Sequence, residues 1–183
     1  MRLQEALERG VAHEDGPTVV RFPKGNAPDP IEAVREEADF DVLYESQKQQ
    51  GKRVLIVSFG ALTAQALGAA EALDNDGYSV TVVDPHWITP VADSLVELTK
   101  QNDLVITIED SGLHGGAGSK MQMKLNEEAV DTPVRNLGIP QKFLAHASRG
   151  QVLAELGLDA DSVIASARSW ANGLDKTVGD SAK

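Results

Sequence analysis

The chain has 183 residues, no cysteine, and 28 acidic against 17 basic side chains, a net charge of −11. Without cysteine it can form no disulfide, thiolate metal site or thiol nucleophile, and a cytoplasmic setting suits it better than a secreted one. The acidic balance argues against a nucleic-acid surface or an anionic membrane as partner, and no apolar run is long enough to span a bilayer.

Leu3, Ala6, Leu7 and Val11 recur at helical spacing, yet nothing before Leu3 supplies an N-cap or an acidic first turn. The chain therefore reads as starting inside a larger structure. Gly16 to Asn26 follows, Gly-Pro-Thr-Val-Val-Arg-Phe-Pro-Lys-Gly-Asn. Thr18, Val19 and Val20 favour an extended strand, Pro23 fixes its own φ, and Gly25 permits a sharp exit. Arg21 and Lys24 would then stand at a strand end. Two readings are open for them, a pair of solvated charges or an anion clamp in which arginine offers a planar fork and lysine a point charge. Residues 27–52 are polar and acidic and read as a crossing segment, with a short apolar patch at Val42 to Tyr44.

A regular rhythm begins at Arg53. Val54 to Phe59 is a buried strand, and Leu62, Ala66, Ala69, Ala70 and Leu73 carry a helix to the break at Asn75 to Gly77. Val80 to Val83 is a second strand, and Thr89-Pro90 predicts the start of a helix carrying Val91, Leu95 and Leu98. Leu104 to Ile108 is a third strand, a glycine-rich loop spans Gly112 to Gly118, and a helix with Met121 and Leu125 follows. Val134 to Leu137 is a fourth strand. Ser148 caps a short helix ended by Gly157, and Asp159 caps a last one with Val163, Ile164, Ala167 and Trp170 on one face.

Short apolar strands alternating with helices predict an α/β fold, a mostly parallel open sheet of about five strands with helices on both faces. The organisation expected is the end of a preceding domain plus a linker over 1–52, the α/β domain over 53–172, and a flexible tail over 173–183.

In such sheets chemistry gathers at the carboxyl ends of the strands. Glu109 and Asp110 follow the third strand; as neighbours they point to opposite faces, so helix capping suits them better than joint acid-base work. The loop Gly115-Gly116-Ala117-Gly118-Ser119 could offer amides to a phosphate, but it lacks both the Walker and the dinucleotide spacing and follows two acids. Tight backbone packing or a subunit contact fits it better. The four histidines show no chelating pair, so no metal site is expected. His114, in the glycine loop, and His146, just ahead of Ser148 and Arg149, are candidates for an active-site rim or interface, as is Glu109, although a plain surface position suits each histidine better. No serine lies in a nucleophile elbow.

The stretch 16–26, Phe59-Gly60, Val83-Asp84-Pro85 with Trp87-Ile88-Thr89-Pro90, Ile108-Glu109-Asp110 with the glycine loop, and Asn136-Leu137-Gly138-Ile139-Pro140 together resemble the C-terminal third of 1-deoxy-D-xylulose-5-phosphate synthase. Phe143, His146-Ala147-Ser148-Arg149 and Glu155-Leu156-Gly157-Leu158-Asp159 favour that family over transketolases and 2-oxo acid dehydrogenase β-subunits, which share several of the motifs. The resemblance implies an enzyme that uses thiamine diphosphate and Mg2+ to decarboxylate pyruvate and join the product to glyceraldehyde 3-phosphate, as a homodimer, for isoprenoid and thiamine synthesis. It also implies that the Gly-Asp-Gly motif and activating glutamate for that cofactor lie on other domains, since no Gly-Asp-Gly occurs here. This chain is then inactive by itself, binds neither cofactor nor metal, and supplies no catalytic residue. Lys24 stands where the family commonly has an arginine that reaches the substrate phosphate, a departure that keeps the charge and loses the fork. Arg21 is the family's other cation in the motif, with a structural role equally open. A free-standing assembly module of the same fold is the remaining alternative.

Overall fold

The computed structural model describes residues 2–20, 22, 29–47 and 51–177. The chain divides into two compact units, Met1–Glu32 and Ala33–Lys183. The first contains helix α1 (Arg2–Ala12), whose repeating apolar residues face outward, with Leu3 41%, Leu7 47% and Val11 87% exposed. Thr18 to Val20 form no strand, in contrast to the sequence expectation. Their β-branched side chains favour extension, but a strand needs a hydrogen-bonding neighbour, and Val19 stays 82% exposed.

The second unit is built on one six-stranded sheet. In chain order its elements are β1 (Arg35–Glu36), β2 (Phe40–Glu45), β3 (Arg53–Phe59), α2 (Thr63–Asn75), β4 (Ser79–Pro85), α3 (Asp93–Lys100), β5 (Leu104–Gly112), α4 (Ala117–Glu127), β6 (Val134–Ile139), α5 (Arg149–Glu155) and α6 (Ala160–Thr177). The strand order is β1-β2-β4-β3-β5-β6. Strands β4, β3, β5 and β6 run parallel, while β1 and β2 are antiparallel additions at one edge.

The continuous apolar runs of the central strands follow from burial on both faces. Val54, Ile56, Val80, Val82, Leu104 and Ile106 pack with Leu62 just ahead of α2, with Ala66, Ala70 and Leu73 of α2, and with Val163, Ala167 and Ala171 of α6. The alternate residues Leu55, Val57, Val83 and Val105 pack on the other face with Leu95 and Val96 of α3 and Met121 and Leu125 of α4. The result is a three-layer α/β/α unit.

Three boundaries differ from the sequence expectation. Residues 27–52 are not all linker, because Phe40 and Val42, 7% and 0% exposed, pair antiparallel with β4 and join the core. The sheet therefore has six strands, and the second unit begins at Ala33. A bulge between Val42 and Tyr44 hides the period-two pattern that would have marked the strand, since the extra residue Leu43 turns Tyr44 toward the opposite face from Val42. Helix α3 starts at Asp93 after an extended Ala92, so Thr89 is no N-cap; the Thr89-Pro90 peptide is cis. Finally, α6 continues past residue 173 to Thr177, because Ala171 and Leu174 keep the helical period and pack on the core. The other two N-cap expectations hold: Ser148 and Gln151 form a capping box on α5, and Asp159 accepts from the Ser162 amide at 3.2 Å at the head of α6.

Candidate functional site

The carboxyl ends of β3, β4, β5 and β6 open on one end of the sheet, and the loops there contain the residues of interest. Strand β5 delivers Glu109 and Asp110 to opposite faces, as alternation requires. Glu109 is 1% exposed. Its Oε2 accepts from the Ala117 amide at 2.8 Å and its Oε1 from the Gly118 amide at 2.9 Å, while the Ser111 hydroxyl donates to Oε2. Both amides belong to the first turn of α4, whose own N-cap, Gly116, has no side chain to offer. The carboxylate therefore lies inside the fold rather than at its rim, where it satisfies orphan amides and opposes the positive end of the helix dipole.

Asp110 turns the other way and accepts from Arg149 at the start of α5, Nη1 to Oδ2, at 2.6 Å. The loop between β5 and α4 is held at two further points: the Leu113 amide donates to the Ile139 carbonyl at 2.8 Å, and the Ser119 hydroxyl to the Leu113 carbonyl at 2.6 Å. His114 is exposed at the tip of this fixed loop, next to Gly115, whose φ of +77° suits glycine. His146 is exposed in the connection between β6 and α5, where residues 141–150 are all exposed and Phe143 is fully so. The structure thus brings Glu109 and His114 into one loop system and leaves His146 on a separate strap. Arg21 and Lys24 lie outside the described residues.

Sequence reasoning missed three contributors. Ser111 supports the Glu109 carboxylate, and Arg149 pairs with Asp110 across 39 positions, which no local pattern shows. Thr107 donates to Asn136 Oδ1 at 2.8 Å and ties β5 to β6; a polar residue in the middle of a buried strand was the available signal for both. At the far edge, the His86 ring lies 3.1 Å from both the Ala38 carbonyl and Asp41 Oδ1, joining the β1–β2 turn to the end of β4.

Apolar side chains are also exposed at this end. Trp87 and Ile88 after β4 are 65% and 46% exposed, and Leu144 beside Phe143 is 38% exposed. A groove of about 430 Å³ runs between Thr89–Asp93 and the Lys120, Met123, Lys124 and Glu127 face of α4. Among the described residues no group of three or more His, Asp or Glu could hold a metal ion, and no helix is long and apolar enough to cross a membrane.

Parallel order, helices on both faces and motif-bearing loops at the carboxyl ends define an α/β domain of the kind that matches the family described as "Transketolase, C-terminal domain" over residues 44–163. The chain belongs to that family. Within it, the chain is 59% identical over 174 residues to the 1-deoxy-D-xylulose-5-phosphate synthase of Corynebacterium jeikeium, covering 94% of this chain and 28% of that enzyme. It is 43% identical over 180 residues to the synthase of Mycobacteroides abscessus, covering 98% and 28%. The chain spans just over a quarter of the length of these curated relatives. Among solved structures it is similar to a split-gene transketolase chain in an inactive β4 tetramer, with a TM-score of 0.73, 27% identity, and coverage of 92% of this chain and 54% of that one.

Proposed function

We propose that this chain serves as the C-terminal domain of a 1-deoxy-D-xylulose-5-phosphate synthase, where it contributes to subunit association and to one edge of the substrate site. The observation that carries this reading is the 59% identity to such a synthase over 94% of the chain, a level far above the 27% shared with the transketolase chain. In the parent enzyme thiamine diphosphate with Mg2+ would supply the carbanion chemistry that joins pyruvate to glyceraldehyde 3-phosphate. The residues here do not fit that cofactor. No Gly-Asp-Gly occurs in the sequence, and the two carboxylates near the end of β5, Glu109 and Asp110, already hold amides and a guanidinium.

What this chain offers instead is surface and charge. The exposed Trp87, Ile88, Phe143 and Leu144 form loops suited to burial against another domain or subunit. The split-gene transketolase chain is described as an inactive tetramer, which supports the reading that this chain is inactive by itself. Lys24 is the proposed contact to the phosphate of the aldehyde substrate, with Arg21 as the second candidate cation. A charged phosphate contact is worth about 1.5 to 3 kcal/mol, or roughly tenfold to a hundredfold in affinity.

The test is Lys24→Ala in the full-length parent. We expect the KM for glyceraldehyde 3-phosphate to rise about tenfold or more, with the KM for pyruvate nearly unchanged. An unaltered aldehyde KM would remove Lys24 from the site.

A further inference from the structure

In a doubly wound sheet a ligand crevice opens where adjacent strands send their chains to opposite faces. Here that point lies between β3 and β5, which are neighbours in register from Val54↔Leu104 to Phe59↔Glu109. Strand β3 leads into α2 on one face and β5 into α4 on the other. The amide end of α4 is where such a fold would hold a phosphate or another anion.

We propose that Glu109 is a built-in anion that permanently fills this place, so that the domain takes no phosphate or nucleotide at its switch point. The two carboxylate oxygens are matched to the Ala117 and Gly118 amides at 2.8 and 2.9 Å, the pairing an external oxyanion would make. The Ser111 hydroxyl adds a third donor. The backbone closes around the group. A Cβ at Gly116 would meet Glu109 Oε2 at 2.3 Å and the Gly112 carbonyl at 2.2 Å, and a Cβ at Gly138 on β6 would meet Glu109 Cγ at 3.2 Å. At 1% exposure the carboxylate has no open side for a second anion, which it would also repel. The site is built as an anion cradle and supplied from within, which leaves the loops above it for contact with protein. This inference holds whichever enzyme the domain serves.

The experiment compares wild type, Glu109→Ala and Glu109→Gln by thermal unfolding in sodium formate and in sodium chloride at equal ionic strength. It also follows the Ala117 and Gly118 amides of the wild type by NMR as inorganic phosphate or ADP is added. Glu109→Ala should lower Tm by roughly 5 °C or more, and formate should restore part of that loss while leaving the wild type unmoved. Glu109→Gln should also lower Tm, because its NH2 faces an N–H donor, and formate should not restore it, since the space is filled. The wild-type amides should not respond to phosphate or ADP. A Glu109→Gln variant as stable as wild type, a formate shift equal in Glu109→Ala and wild type, or a saturable shift of the Ala117 and Gly118 amides would each overturn the proposal. Should Glu109→Ala fail to fold, the glutamine variant and the wild-type titration decide it.

Discussion

Single side chains here show how burial and a neighbouring charge act together. Tyr44, turned inward by the bulge in β2, donates to Asp74 Oδ2 on α2 at 2.6 Å. Burial first, and then Asp74, push its phenol up to about 12. Because the folded state favours the protonated phenol, its contribution to stability is complete below pH 10 and is lost as the pH rises through 12. The Tyr44 phenol should ionise near pH 12 in a near-ultraviolet titration. Asp74→Asn should move that midpoint down without returning it to 10, since burial is the larger cause; an unmoved midpoint would rule out the Asp74 contact. None of this was legible in the sequence, where Tyr44 sits in an acidic stretch 30 positions from its partner. Glu109 was more legible: an acid closing a buried strand just before a glycine-rich helix start is a local pattern, and capping was the role it suggested. Its complete burial was not, because that depends on Gly138 of β6 closing over it.

At the scale of elements, periodicity located β3, β4 and β5 and the helices between them, because a strand buried on both faces writes a nearly unbroken apolar run. The edge strand β6, with Arg135 and Asn136 inside it, was instead marked by Val134 and Leu137 ahead of Gly138. Strand β2 escaped, since its two core residues flank Asp41 and its bulge interrupts alternation. The middle of β3 is where the apolar run is most heavily used. Ile56 is 1% exposed between α2 and α6, and Ile56→Ala should cost about 2 to 5 kcal/mol in denaturant unfolding. A loss below about 1 kcal/mol would mean that this face is loosely packed. Helix α6 offers a pH test. The hydrogen bonds from Ser162 hold the Asp159 carboxyl below its ordinary value of 3.8. The cap therefore contributes above that value and is lost as pH falls through the depressed one. Asp159→Asn should abolish this acid-linked fraying in amide exchange of residues 160–163, and identical exchange profiles would show that the cap is not titrating. Farther along, Arg168 clasps Asp76 through Nε and Nη2 at 2.6 and 3.1 Å, tying α6 to the end of α2. The length of α6 was underestimated because its last turns look polar, although Ala171 and Leu174 still face the core.

At the scale of the molecule, the second unit has a complete core and an internally neutralised switch point, yet its carboxyl-end loops expose aromatic and aliphatic side chains. That combination suits a domain whose work is done against other domains. It agrees with a chain that matches just over a quarter of each synthase relative. The isolated chain should release no carbon dioxide from pyruvate with thiamine diphosphate and Mg2+ present, and measurable turnover would show that it supplies catalytic groups of its own. The most direct measurement uses the full-length parent, supplied with pyruvate, thiamine diphosphate and Mg2+, with and without glyceraldehyde 3-phosphate. Carbon dioxide release should depend on the aldehyde phosphate. Release indifferent to that substrate, or none at all, would contradict the assignment to the synthase.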